Sequence, residues 1–171
     1  MPKKPVAPVA NAKNPHKTVQ SKYKLKPRLL SSHPNDRRGN RRDPRVMFEV
    51  TVEAGFSSGH YLRNYRGKCE NPHGHNYKVF ITLQGTDLDE AGLLLDFKLL
   101  KQVMRPVVDY LDHQMINDLE PFTTINPSAE NLARYFYDKT RLQLHEMTKG
   151  RVTVKDCTLY ETDTSFARYY E

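Results

Sequence analysis

From Met47 the chain alternates apolar and polar side chains through Met47-Phe48-Glu49-Val50-Thr51-Val52-Glu53-Ala54, the two-residue period of a half-buried strand, and the pattern breaks at Gly55. A second run, His75-Asn76-Tyr77-Lys78-Val79-Phe80-Ile81-Thr82-Leu83-Gln84, is rich in β-branched and aromatic residues and closes at Gly85 and the acidic turn from Asp87 to Gly92. The two runs are expected to pair antiparallel.

The period then changes. Asp96 is placed to cap a helix reaching about Leu111, with Leu99, Leu100, Val103, Met104, Val107, Val108 and Leu111 spaced by three and four and with Pro106 expected to kink it. A second helix is predicted to begin near Ser128, after Asn126-Pro127, to turn Leu132, Ala133, Phe136, Thr140 and Leu144 inward, and to exit at Lys149-Gly150. Alternation returns over Val152 to Tyr160, and Ser165 to Tyr170 can fold back on it across Thr162-Asp163-Thr164. The order β-β-α-α-β-β predicts an α+β domain, an antiparallel sheet with both helices on one face.

Composition narrows this picture. The chain's 171 residues suit one domain. The net charge of +7 is unevenly spread: residues 1–45 hold thirteen Lys and Arg against Asp36 and Asp43, so they carry +11 and residues 46–171 carry −4. Rich in Pro, Lys, Asn and Ser and without apolar periodicity, residues 1–45 are expected to be a basic, disordered extension. Pro2, Pro5, Pro8 and Pro15 would break the amphipathic helix of a mitochondrial presequence, and weak phosphate contact through counterion release is the most that the basic run suggests for nucleic acid. Met47 is itself a candidate translation start, which the mass of the native N-terminus would test. No apolar window is long enough for a membrane span, and two cysteines, Cys69 and Cys157, are too few for a disulfide framework, so a cytoplasmic setting is the expectation.

The candidate chemistry gathers around the second run. In His73-Gly74-His75 the strand period turns both imidazoles to one face, and Gly74 permits close approach. His60, in Phe56-Ser57-Ser58-Gly59-His60-Tyr61-Leu62 at the end of the first strand, would be brought beside them, near the start of the second, by antiparallel pairing. Three histidines without a fourth protein ligand form an open, catalytic type of zinc site; with Cys69 as fourth ligand the same residues form a closed structural one, and the spacing Cys-x-x-x-His-Gly-His fits either. Cys69 as a reactive thiol needs a base, for which Asp112-His113 is the candidate, since an Asp can fix the tautomer of a proton-exchanging His. A histidine there is equally a helix C-cap favoured by the dipole.

Five ordered motifs bear on the choice: Phe56 to Leu62, Lys68-Cys69-Glu70-Asn71-Pro72-His73-Gly74-His75-Asn76, Leu111-Asp112-His113, Asn126-Pro127-Ser128-Ala129-Glu130-Asn131-Leu132 and Tyr160-Glu161-Thr162. In these, residues 47–171 resemble the family of 6-pyruvoyl-tetrahydropterin synthase and the bacterial 6-carboxytetrahydropterin synthase QueD. The resemblance implies zinc held by His60, His73 and His75, a proton-transfer triad of Cys69, Asp112 and His113, and Glu161 anchoring the pterin ring. It also implies the tunnelling fold (T-fold), in which subunit sheets join edge to edge into a barrel, here a homo-oligomer expected to be a hexamer, with active sites between neighbours.

The family divides by product. The carboxy enzymes convert 7,8-dihydroneopterin triphosphate to 6-carboxytetrahydropterin with release of acetaldehyde and triphosphate, on the way to queuosine, and the short spacing between Cys69 and His73 resembles theirs. The pyruvoyl enzymes keep the side chain whole and usually carry a longer insertion there, although Asn76-Tyr77-Lys78-Val79 and Tyr160-Glu161-Thr162-Asp163 are reminiscent of them. A third subgroup uses glutamate in place of the cysteine, a role for which Glu70 is adjacent. Pro72, where the carboxy enzymes commonly have leucine, would stiffen the ligand loop. The rival of another class is a nucleic-acid-binding module with a structural zinc held partly by Cys69.

Overall fold

The computed structural model describes residues 47–171. The expected basic, disordered extension over residues 1–45 lies outside the described residues.

Strand β1 (Phe48–His60) pairs antiparallel with β2 (His73–Gly85), helices α1 (Phe97–Leu111) and α2 (Ala129–Thr148) follow, and β3 (Thr153–Thr162) and β4 (Ser165–Tyr169) complete the sheet. The spatial order β1-β2-β3-β4 is antiparallel throughout, so the predicted β-β-α-α-β-β arrangement and α+β class are those observed.

β1 does not stop at Gly55. Val52, Phe56, Ser58 and His60 are all buried, so the inward phase of the strand continues after the inward residues cease to be apolar. On β2 the same face carries Tyr77, Val79, Ile81 and Leu83, and on β3 Cys157 and Leu159. α1 packs on β1, α2 on β3 and β4, and the helices touch each other over this face. Leu100, Met104, Leu111, Leu132, Phe136 and Leu144 close the core from the helix side. Each such side chain contributes about 1.5–3 kcal/mol on burial, which is why the helices settle on this face.

Asp96 caps α1, its carboxylate accepting from Lys98 N at 2.8 Å. The helix runs unbroken through Pro106: Pro106 and Gln102, whose carbonyl loses its amide partner, both face solvent, where water can replace that bond. Ser128 caps α2 through Asn131 N, and Lys149 ends it in the left-handed region at φ 50°.

Candidate metal and proton-transfer site

The register of the first hairpin sets His60 directly opposite His73 and Ser58 opposite His75. All three imidazoles therefore project from the helix-covered face at the end of the sheet where β1 ends and β2 begins. Gly74 eases this close pairing, since a Cβ there would stand a tight 3.3 Å from the Ser58 carbonyl oxygen. One ring nitrogen from each histidine lies within 4.8 Å of the others, and among the described residues this trio is the group able to hold a metal ion, without Cys69.

The hydrogen bonds decide which nitrogens face inward. Nδ1 of His60 lies 2.7 Å from the Pro127 carbonyl oxygen and Nδ1 of His73 lies 2.8 Å from that of Asn71. A carbonyl oxygen only accepts, so each Nδ1 carries the proton and each Nε2 presents a lone pair. The two Nε2 atoms are 3.1 Å apart. Lone pairs at that distance repel unless a cation lies between them, and a tetrahedral zinc with Zn–N bonds of about 2.0–2.1 Å would hold its nitrogens about 3.3 Å apart. Burial, reinforced by His73 and His75 and opposed by the bond to Pro127, lowers the His60 pKa to about 4, so this ring is neutral, as a ligand must be, at pH 7. The residues fit zinc.

Glu161 joins the trio from β3, its Oε1 3.9 Å from Nε2 of His60. Burial raises its pKa, His75 and His73 oppose the rise, and Glu130 at the start of α2 adds to it. Glu130 thus belongs to this electrostatic group, and the signal for it in the sequence is its place within Asn126 to Leu132. Tyr77 lies beneath the rings, edge-on to His60 and His75 and stacked on Phe56 at 4.7 Å, with its buried hydroxyl unpaired.

The residues expected to relay protons lie on separate segments. Asp112, the C-cap of α1, accepts from Ser57 N at 2.8 Å and lies 2.9 Å from His113 Nδ1; these bonds, the one from Ser57 first, hold its carboxyl below the usual range. His113 takes a left-handed φ of 57°, a conformation costing a non-glycine residue about 1 kcal/mol, and donates its N–H to Ser57 O at 2.7 Å. Residues 113–115 thereby run along the edge of β1, with Gly59 N bonded to Gln114 O, and the exposed His113 ring opens onto a cavity that is lined by Ser57, Ser58, Gly59, Gly74, Asn76 and Met115 and also reaches His75. Ser57, Gly59, Gly74 and Asn76 alternate with the inward residues and belong to the helix-free face. Cys69 sits in a single helical turn, Lys68–Glu70, between β1 and β2, as a partly exposed free thiol, and among the described residues no hydrogen bond joins it to His113.

A family model described as 6-pyruvoyl tetrahydropterin synthase matches residues 49–171. The chain belongs to this family. A 6-carboxy-5,6,7,8-tetrahydropterin synthase of Bacillus subtilis is 32% identical over 127 residues, covering 71% of this chain and 84% of the relative. A 6-pyruvoyl tetrahydrobiopterin synthase of Homo sapiens is 31% identical over 139 residues, covering 73% and 92%. The solved 6-pyruvoyl tetrahydropterin synthase of Caenorhabditis elegans superposes with a TM-score of 0.64 at 27% identity, over 73% of this chain and 96% of that one. Membership in the pterin synthase family accounts for the T-fold sheet and its two helices. Among the described residues no helix is long and apolar enough to cross a membrane.

Proposed function

We propose that the protein is a zinc-dependent lyase, a 6-carboxytetrahydropterin synthase that converts 7,8-dihydroneopterin triphosphate to 6-carboxytetrahydropterin with loss of acetaldehyde and triphosphate, in the cytoplasmic route to queuosine. The observation that carries the metal is the pair of facing Nε2 lone pairs, 3.1 Å apart, with Glu161 beside them. The short Cys69-to-His73 spacing supports the carboxy product, and carboxy synthases stand among the relatives. The pyruvoyl synthase is the second reading, favoured by the human relative.

His60, His73 and His75 would hold the zinc, which acts when bound as a Lewis acid on the hydroxyls of the substrate side chain. Glu161 would receive the 2-amino group and adjacent ring N–H of the pterin on its two oxygens, as a carboxylate receives a guanidinium, replacing the hydration that burial removes. Cys69 would move carbon-bound protons as a thiolate. His113, its tautomer fixed by Asp112, would exchange protons with substrate oxygens. The dyad along the edge of β1, with no hydrogen bond among the described residues to Cys69 in the turn between β1 and β2, fits a site completed by a neighbouring subunit, whose dyad would meet this chain's Cys69.

Cys69→Ala tests the reading. Expected is full zinc content with turnover of dihydroneopterin triphosphate abolished; loss of zinc would instead make Cys69 a ligand and favour the closed structural site.

A further inference from the structure

Beyond His60 the chain leaves the sheet, yet its backbone is still paired. Asn117 donates its side-chain N–H to Tyr61 O and accepts from Tyr61 N, both at 2.9 Å. Two residues on, Asn126 donates to Arg63 O at 3.0 Å and accepts from Arg63 N at 2.8 Å. Two asparagine amides thus act as a surrogate strand, each making the paired bonds that a backbone neighbour would make. The Arg63 guanidinium returns across the same loop to the carbonyls of Phe122 at 3.0 Å and of Ile125 and Asn117 at 3.3 Å. Asn131, from the first turn of α2, holds the Asn126 carbonyl at 2.9 Å.

Asn126 is the member of this brace next to Pro127, held through its side chain to Arg63 and through its carbonyl to Asn131, and the Pro127 carbonyl that follows is the one on Nδ1 of His60. His73 is held differently: its Nδ1 partner, Asn71, lies only two residues away in the same loop. His60 depends on a carbonyl 67 residues distant, which has no local tie to it.

We propose that Arg63, Asn117 and Asn126 are positioning residues for metal capture, a brace that holds the Pro127 carbonyl on Nδ1 of His60 and so reserves Nε2 for the ion. The inference rests on the trio being a metal site, but its principal readout does not. With the carbonyl in place, Nδ1 keeps the proton; with it displaced, the proton distributes between the two nitrogens and the ring can turn. Carbonyl and carboxylate partners of this kind change metal affinity by about 10- to 100-fold when removed.

The test uses the full chain as its native assembly, in wild-type form and as Asn126→Ala, Asn117→Ala and Arg63→Gln. Ring nitrogen chemical shifts of the histidines are recorded on metal-free protein, and zinc affinity is measured by competition with a chelator. Expected in Asn126→Ala is a mixed tautomer at His60 with His73 still protonated on Nδ1, and zinc binding weakened by about 10- to 100-fold. The internal comparison with His73 separates positioning from general loosening, and Val107→Ala, which weakens the α1 core at a residue that makes none of the brace's hydrogen bonds, should leave zinc affinity unchanged. A His60 that stays wholly Nδ1-protonated in all three variants overturns the brace. So does a zinc affinity that falls as far in Val107→Ala as in Asn126→Ala. A wild-type protein with the expected His60 tautomer but no zinc affinity would refute the metal reading, and with it the brace's part in metal capture, whereas an unchanged tautomer in the variants of a zinc-binding protein refutes the brace alone.

Discussion

Replacing His60 with glutamine in the metal-free protein should change how stability depends on pH, with a sign and size the site dictates. The His60 pKa falls from 6.5 to about 4 on folding, chiefly because burial penalises the charged ring. Above pH 6.5 both folded and unfolded chains carry it neutral and no pH dependence arises. As pH falls from 6.5 toward 4 only the unfolded chain takes up the proton, so folding loses about 1.4 kcal/mol per pH unit and roughly 3 kcal/mol by pH 4. His60→Gln can still donate to Pro127 and removes the titration. The assay is urea unfolding of chelator-stripped protein at fixed protomer concentration, at pH 7.5, 6.5, 5.5 and 4.5. The stability difference between wild type and His60→Gln should be constant down to pH 6.5 and then shift against wild type by about 1.4 kcal/mol per unit. Parallel profiles from pH 7.5 to 4.5 would show that His60 protonates freely and refute the account of its burial.

Other consequences are as direct. Asp156 is buried on β3 and its carboxylate accepts from Arg168 at 2.6 Å, so Arg168→Met should destabilise by about 2 kcal/mol in urea unfolding, less than the roughly 3–5 of a fully buried pair because Arg168 is half exposed. Tyr77→Phe removes a buried hydroxyl that has no partner, and should stabilise the metal-free protein by about 1 kcal/mol, a loss of stability being the contrary result. Coexpressed Cys69→Ala and His113→Ala chains, each inactive alone, should regain turnover in mixed assemblies if the relay forms between subunits; a mixture as dead as its parts would place the whole relay in one chain.

Much of the fold and part of the site could be read from the chain because they rest on periodicity. The strand alternation and the three-and-four spacing of α1 and α2 report burial directly, and antiparallel pairing is enough to bring His60 to His73. The apolar alternation of β1 fades after Gly55, since Ser57, Ser58 and Gly59 carry no apolar signal, although Ser58 and His60 keep the inward phase and His60 ends the strand as expected. The brace of Arg63, Asn117 and Asn126 has no period at all: its bonds join side chains to backbone groups more than fifty residues away. The division between Cys69 and the dyad was likewise invisible, since it depends on residues 113–115 turning along the β1 edge through a left-handed His113.

The most direct test of the proposed activity is to incubate zinc-loaded protein with 7,8-dihydroneopterin triphosphate and analyse the products. Expected is 6-carboxytetrahydropterin with acetaldehyde and triphosphate released in equal amounts. A 6-pyruvoyl product with triphosphate and no acetaldehyde would contradict it.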